Sequence, residues 1–248
     1  MLCAVASPEK IEATRRSYTG PRVRNCYAHR LIRGASPYPL FARSCFRMAA
    51  DASFSFRAEI GRKALHLLAL GIPLGMAWVG APLAVWIVTG AALIGVTGDV
   101  LRAVWPAFRR VIRRIFGGLM RPSEWPAEGT SITLNGATCV LLACASAGWV
   151  FPLAVAVAVL CAALIADAAA ALVGRRFGRH AWHRGGHTVE GSAAFVVSAG
   201  IVLVVAGTAP MAATAAALIG AALEATPLPL NDNIAVPLGM GAVLLVIA

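Results

Sequence analysis

Apolar residues run through this chain in long segments that are separated by short polar or basic stretches. A helix needs about 20 predominantly apolar residues to cross the hydrocarbon core of a bilayer, so such segments predict membrane-spanning helices. The pattern predicts an all-α, polytopic integral membrane helix bundle with about six or seven transmembrane helices. The predicted spans are 64–80, 82–98, 132–149, 151–173, 191–208, 210–224 and 234–248.

The composition agrees with a membrane protein. The 248 residues are 59% apolar and only 13% charged, whereas average soluble proteins are about 45–50% apolar and about 25% charged. So few charges exclude a water-soluble globule, and so many apolar residues exclude disorder of the whole chain. The six cysteines include no CxxC pair, so neither a disulfide framework nor a zinc site is indicated.

The N-terminal residues 1–56 differ from the rest of the chain. Residues 1–50 contain nine Lys or Arg and two Glu, and they lack the apolar stretch of about 7–15 residues that marks a secretory signal. This part is interpreted as an organelle-targeting segment, as a basic tail on anionic lipid, or as sequence upstream of a true start at Met48. We therefore divide the chain into a basic tail, 1–56, and a transmembrane domain, 57–248.

Basic residues also mark one side of the predicted bundle. They cluster before residue 64, between 98 and 132 and between 173 and 191, while the turns near 80, 150 and 209 carry no charge. The positive-inside rule places the basic stretches in the cytoplasm, which predicts a bacterial inner-membrane protein with its active site facing the cytoplasm. Residues 101–120 alternate apolar side chains with Arg, as in an amphipathic surface helix. That helix either only orients the protein or binds anionic headgroups or a nucleotide.

The acidic residues are few, and this topology places all of those beyond residue 58 at or near the cytoplasmic side. They are Glu59, Asp99, Glu124, Glu128, Asp167, Glu190, Glu224 and Asp232. Acids in or beside membrane helices are costly and usually functional. Their distribution predicts one site at the cytoplasmic face.

Asp167 is the most informative acid because it lies inside an apolar segment, one to two turns before its end. A carboxylate there costs several kcal/mol unless it meets a cation or a metal. The alternative is a structural partner for an Arg. The residues that follow it suit phosphate binding, through glycines that permit close backbone approach and through positive charge. They are Gly174, Arg175, Gly178, Arg184 and His187.

Other polar residues gather at the same predicted face. Thr188, Glu190 and Gly191 resemble a helix start, with Glu190 either capping the helix or facing a metal. At the start of the first span, four side chains can share one helix face, and these are Glu59, Arg62, Lys63 and His66. Asn135 is predicted to lie within one helical turn of the cytoplasmic face. Glu224 and Asp232 flank a Pro-rich turn that is either an N-cap cluster or a site for a divalent cation.

Taken together, four ordered motifs resemble the family of dolichol kinases and phytol kinases, which also contains the CTP-dependent diacylglycerol kinases. The motifs are E-x-x-R-K-x-x-H-L at 59–67, D-x-x-A-x-x-x-G-x-x-x-G at 167–178, H-T-V-E-G-S at 187–192, and E-A-x-P with D-N-x-x-V-P at 224–237. They span the whole membrane part in the family order.

The resemblance implies a multi-helix membrane kinase. Such a kinase moves the γ-phosphate of CTP, or of another nucleoside triphosphate, to the hydroxyl of a lipid alcohol with Mg²⁺ or another divalent cation. Asp167 matches the family's Asp beside nucleotide and metal, and Thr188, Glu190 and Gly191 match its K-[ST]-x-E-G element. His187 stands where relatives usually have Lys, and Arg184 is a candidate source of the missing charge.

The resemblance further implies roles for individual residues. Asp167 and Glu190 are the expected catalytic pair, and with Asp232 they are the expected metal ligands. We expect a lipid alcohol, a nucleoside triphosphate and the bilayer as partners, and no nucleic acid. The expected nucleotide-binding residues are Lys63, Gly174, Arg175, Gly178, Arg184, His187, Thr188 and Gly191. Further site candidates are Glu59, Arg62, His66, Asn135 and Glu224.

Three other functions stay open at this point. A phosphatidate cytidylyltransferase shares part of the motif set and also uses CTP, but the acidic block expected downstream is absent from the sequence. A transporter would use helix-borne Asp and Gly along a substrate path, whereas here the polar residues gather on one face. An inactive family member would explain His187.

Overall fold

A computed structural model describes residues 61, 64–117, 132–182, 187–228 and 230–247. The predictions made for the basic tail 1–56 and for Glu59, Arg62, Lys63 and Arg184 lie outside the described residues. Within the described residues the secondary structure is helical apart from one isolated β-bridge between Ala181 and Thr188. The predicted all-α class is therefore confirmed for this part of the chain.

The described residues form eight named helices. They are α1 (Gly71–Val79), α2 (Leu83–Val104), α3 (Pro106–Phe116), α4 (Gly136–Val150), α5 (Leu153–Phe177), α6 (Val189–Val205), α7 (Pro210–Ala225) and α8 (Asp232–Ile247). A helical segment at 64–68 leads into α1, and the seven predicted apolar segments correspond to that segment with α1 and to α2, α4, α5, α6, α7 and α8.

The predicted amphipathic helix at 101–120 has a different boundary. α2 continues to Val104, and α3 begins at Pro106. Pro106 lacks the N–H that would continue α2, and it favours an extended conformation at the residue before it. Trp105 accordingly has φ −114° and ψ 102°. α3 itself is strongly amphipathic and has no buried residue, which agrees with the predicted surface character.

α5 is the central helix of the bundle, because it packs against α1, α4, α6 and α8. On one side it shares a core with α6, α7 and α8 that includes Phe195 and Met240, and on the other it shares a core with α1, α2 and α4 that includes Met76 and Cys144. Small residues let the helices approach closely. At Gly220, a Cβ would lie only 2.8 Å from the Met240 Sδ and 2.9 Å from a Phe195 ring carbon.

The outer faces of the helices are apolar and exposed, as expected for contact with lipid rather than water. Trp78, Ile94, Val205 and Val246 are each at least 76% exposed. α2 and α5 are long and apolar enough to cross a membrane, and the other apolar helices are 10–17 residues long. The exact number of spans and the side that faces the cytoplasm stay predictions.

Candidate functional site

Asp167 on α5 faces a histidine from the first helical segment. Its Oδ2 lies 3.0 Å from the Nε2 of His66, and the two side chains are 32% and 14% exposed. The pairing forms because the 64–68 segment runs into α1, which packs along α5. The sequence identified both residues as candidates, and the structure brings them into direct contact.

A second histidine–carboxylate pair lies close by. The Nδ1 of His187 is 3.2 Å from the Oε1 of Glu224, whose side chain is only 10% exposed at the end of α7. The hydrogen bond with Glu224 raises the pKa of His187 above its usual 6.5, and the negative charges of Glu224, Asp232 and Asp167 raise it further, although burial opposes them. His187 thus holds its positive charge to a higher pH than an ordinary histidine does.

Three glycines line the junction between α5 and the start of α6. A Cβ at Gly174 would lie 2.9 Å from the Thr188 Oγ1, and one at Gly178 would lie 2.6 Å from the Thr188 Cγ2. A Cβ at Gly191 would lie 3.0 Å from the carbonyl oxygen of Ala170. The two backbones therefore meet at a distance that leaves no room for side chains, and backbone amides at the start of α6 come close to Asp167's helix.

Thr188 caps α6. Its Oγ1 accepts a hydrogen bond from the Gly191 N–H at 3.1 Å, with Thr188 itself in an extended conformation. This satisfies one of the unpaired amides at the helix start. The predicted helix start at 188–191 is confirmed, with Thr188 rather than Glu190 as its cap.

Glu190 has a different partner. Its Oε1 lies 2.7 Å from the His180 Nδ1, and both carboxylate oxygens accept from the backbone N–H of His180. Glu190 lies just ahead of the apolar segment 191–208. Its own backbone amide and the His180 ring are the main hydrogen-bond donors that lower its pKa to about 2.

A buried ionic network, which the sequence analysis missed, links α2 to the start of α4. The Oδ1 of Asp99 accepts from the Arg102 Nη2 and from the Asn135 Nδ2, both at 2.9 Å, and the Oδ2 of Asp99 accepts from the Asn135 backbone N–H at 2.9 Å. Arg102 also donates to the Thr133 carbonyl. The i,i+3 spacing of Asp99 and Arg102 was the available signal.

Asn135 therefore belongs to the Asp99 network and to the N-cap of α4. Its side chain accepts from the Thr138 N–H and caps α4 while it donates to Asp99. The asparagine before the first helical residue is a typical capping signal, and the sequence interpretation passed over it in favour of a site role.

The structure places several of the predicted site residues near His187. Asp167, Glu224 and Asp232 lie close enough to raise its pKa, and His66 contacts Asp167. Asp167, Glu190 and Asp232 do not form a group of three that could hold a metal ion, and neither do any other His, Cys, Asp or Glu side chains among the described residues. Metal binding by these residues stays a prediction.

Comparisons with known proteins gave one partial similarity. No family model matches the chain, and no solved structure matches it. The chain is 34% identical over 130 residues to CTP-dependent diacylglycerol kinase 1 of Schizosaccharomyces pombe, an alignment that covers 51% of this chain and 56% of that protein. The chain thus matches about half the length of this curated relative. The similarity supports a relation to lipid kinases, without distinguishing dolichol, phytol and diacylglycerol kinases.

Proposed function

We propose that this protein is a membrane-embedded lipid kinase that transfers the γ-phosphate of CTP, or of another nucleoside triphosphate, to the hydroxyl of a lipid alcohol. The observation that carries the proposal is the cluster of Asp167, His66, His187 and Glu224 beside the glycine-lined start of α6, in a bundle with apolar outer faces. The relative's name makes diacylglycerol the first acceptor to test, ahead of a polyprenol such as dolichol and of phytol.

Backbone amides and positively charged side chains form the part of the site that we assign to phosphate binding. The start of α6 presents backbone amides, which favour negative charge at a helix N-terminus. Gly174, Gly178 and Gly191 keep side chains out of this junction. His187, with its raised pKa, supplies positive charge, and Arg175 and Arg184 are the further candidates. This is the charge neutralisation that phosphoryl transfer requires, and it supports His187 as a working substitute for the family's Lys.

The hydroxyl side is assigned to Asp167. Its carboxylate is one-third exposed on the central helix, at a place where a lipid hydroxyl can arrive while the tail stays between helices. The carboxylate accepts the hydroxyl proton as the oxygen attacks the γ-phosphorus, and the bond to the nucleoside diphosphate breaks. His66 holds the Asp167 Oδ2 at 3.0 Å and orients it.

A divalent cation fits the donor set although the described residues contain no three-residue metal group. Mg²⁺ is usually bound by one or two carboxylates together with substrate phosphates, and Asp167 and Asp232 are the carboxylates that would hold it. When bound, the cation would neutralise charge on the phosphates. We place the site on the cytoplasmic side of the membrane, on the basis of the Arg-rich stretches described above.

The proposal is tested by the identity of the products. Purified full-length protein in lipid nanodiscs is incubated with CTP, Mg²⁺ and separately with diacylglycerol, a polyprenol, phytol and phosphatidic acid. We expect CDP and a phosphorylated lipid, with the acceptor panel identifying the substrate. Pyrophosphate with a CDP-lipid would indicate a cytidylyltransferase instead. If neither product forms with CTP, ATP, GTP or UTP, the kinase proposal is wrong.

A further inference from the structure

Glu190 contacts His180, ten positions earlier in the chain, through both of its carboxylate oxygens, and the backbone amides of Glu190 itself and of Arg179 also donate to it. The ring Nδ1 of His180 lies 2.7 Å from the Glu190 Oε1, and the His180 backbone N–H lies 3.2 and 3.3 Å from the two carboxylate oxygens. Both oxygens therefore face the same residue. This arrangement differs from that of a carboxylate that points at a metal or a phosphate.

The contact is part of a paired arrangement of two chain arms, 178–182 and 187–192. The Trp182 N–H donates to the His187 carbonyl at 3.0 Å, and the Val189 N–H donates to the His180 carbonyl at 2.9 Å. In addition, the side chain of Trp182 reaches the first turn of α6, where its Nε1 donates to the Ser192 Oγ at 3.1 Å. The side-chain contacts thus fasten the first arm to the first turn of α6.

This fastening has a direct consequence for His187. The His187 carbonyl is bonded to the first arm, while the ring of His187 meets Glu224 on α7. Thr188, the next residue, caps α6. The position of the His187 ring therefore depends on how the two arms are held together, and the His180–Glu190 contact is a side-chain link between them.

We propose that His180 and Glu190 are a positioning pair, which holds the 178–182 arm against the start of α6 and so places His187 for phosphate binding, while Glu190 itself does not touch the reacting groups. The kinetic consequence of this proposal rests on the proposed kinase function, whereas the contact between His180 and Glu190 is a property of the fold. It assigns a role to His180, which the sequence motifs did not single out.

The kinetic test is a double-mutant cycle of His180→Ala and Glu190→Gln in the full-length protein. A positioning pair predicts that each variant raises KM for the nucleotide about fivefold with kcat within about twofold, and that the double variant is no worse than either single variant. A catalytic or metal-ligating Glu190 predicts instead that Glu190→Gln lowers kcat by about 100-fold or more whichever residue is at position 180. That result, or an unchanged KM in His180→Ala, would overturn the proposal.

A second measurement does not depend on activity. Hydrogen exchange of the nanodisc-embedded protein reports on peptides that contain the bonded amides of His180, Trp182 and Val189. We expect faster exchange there in both variants and wild-type exchange in a control, Thr214→Ala, near the opposite end of α7. Unchanged exchange in both variants would overturn the proposal. If the wild type transfers no phosphate, the kinase function fails, and exchange alone decides the positioning role.

Discussion

Asp99 on α2 and Asp167 on α5 are both carboxylates on long apolar helices, but their surroundings differ. Asp99 is 2% exposed and accepts from the Arg102 guanidinium and from two N–H groups of Asn135. Asp167 is 32% exposed and meets His66. The first carboxylate is enclosed by a guanidinium and by amide N–H donors, whereas the second faces an imidazole at a partly exposed position.

The difference separates an acid in a buried structural network from the acid that we propose for the chemistry. Burial of a charge is tolerated when hydrogen bonds and an opposite charge compensate for lost hydration, and the Asp99 network provides both. Asp167 lies at a partly exposed position, and its negative charge contributes to the raised pKa of His187. Four experiments test this contrast.

The largest expected effect is that of Asp167→Asn on phosphoryl transfer. The amide has the shape of the carboxylate but cannot accept the hydroxyl proton, so we expect the rate to fall about 100-fold or more. The free energy of unfolding should change little because the site is partly exposed. CDP release and denaturation in detergent measure the two quantities. Near-wild-type transfer by this variant would remove Asp167 from the mechanism.

The same substitution at Asp99 should have the opposite consequences. Asp99→Asn leaves the buried Arg102 without its counter-charge, and breaking such a pair typically costs about 3–5 kcal/mol of unfolding free energy. The folded fraction should transfer phosphate at a rate close to wild type. If Asp99→Asn leaves unfolding unchanged and eliminates transfer, the assignment of the two acids is reversed.

Asn135→Ala tests the same network with a smaller effect. The substitution removes the cap of α4 and one of the two hydrogen bonds to Asp99, and we expect it to cost about 2 kcal/mol of unfolding free energy. Asn135→Ser, which retains a capping oxygen, should recover part of this loss. The kinetic constants of both variants should match the wild type if Asn135 has no part in the site.

The smallest effect concerns pH. Because hydrogen bonding to Glu224 raises the pKa of His187 above 6.5, the protonated ring is favoured in the fold. The contact between protonated His187 and Glu224 stabilises the fold below pH 6.5. This stabilisation is lost as the pH rises through the raised pKa of His187. We expect nucleotide affinity to fall over the same range. His187→Lys should retain affinity to higher pH, because the Lys pKa is about 10.4.

The pH profile of Thr214→Ala serves as the control for that experiment and should follow the wild type. If the wild-type profile is flat from pH 6 to pH 9 and His187→Lys does not alter it, His187 does not supply charge to the phosphates.

The sequence by itself determined the helical class and the helix pattern. Both the lipid-facing and the core-facing sides of these helices are apolar, so the helices appear in the sequence as uninterrupted apolar segments, and the helix start at Thr188 follows from local chemistry. The break at Pro106 also has a local cause, but the predicted helix 101–120 ran through it. The sequence also identified Asp167, His187, Glu190 and Glu224 as candidate site residues. Its motifs come from segments far apart in the chain, and they carry no information about which side chains meet.

Only the tertiary structure decided the pairings. Helix packing brings His66 to Asp167 and His187 to Glu224, while the pairing of the arms 178–182 and 187–192 brings Glu190 to His180. It also joins Asn135 to Asp99. The physical reason is that a carboxylate's role depends on the donors and the exposure around it. Those are set by packing between distant helices, whereas hydropathy and capping are properties of neighbouring residues.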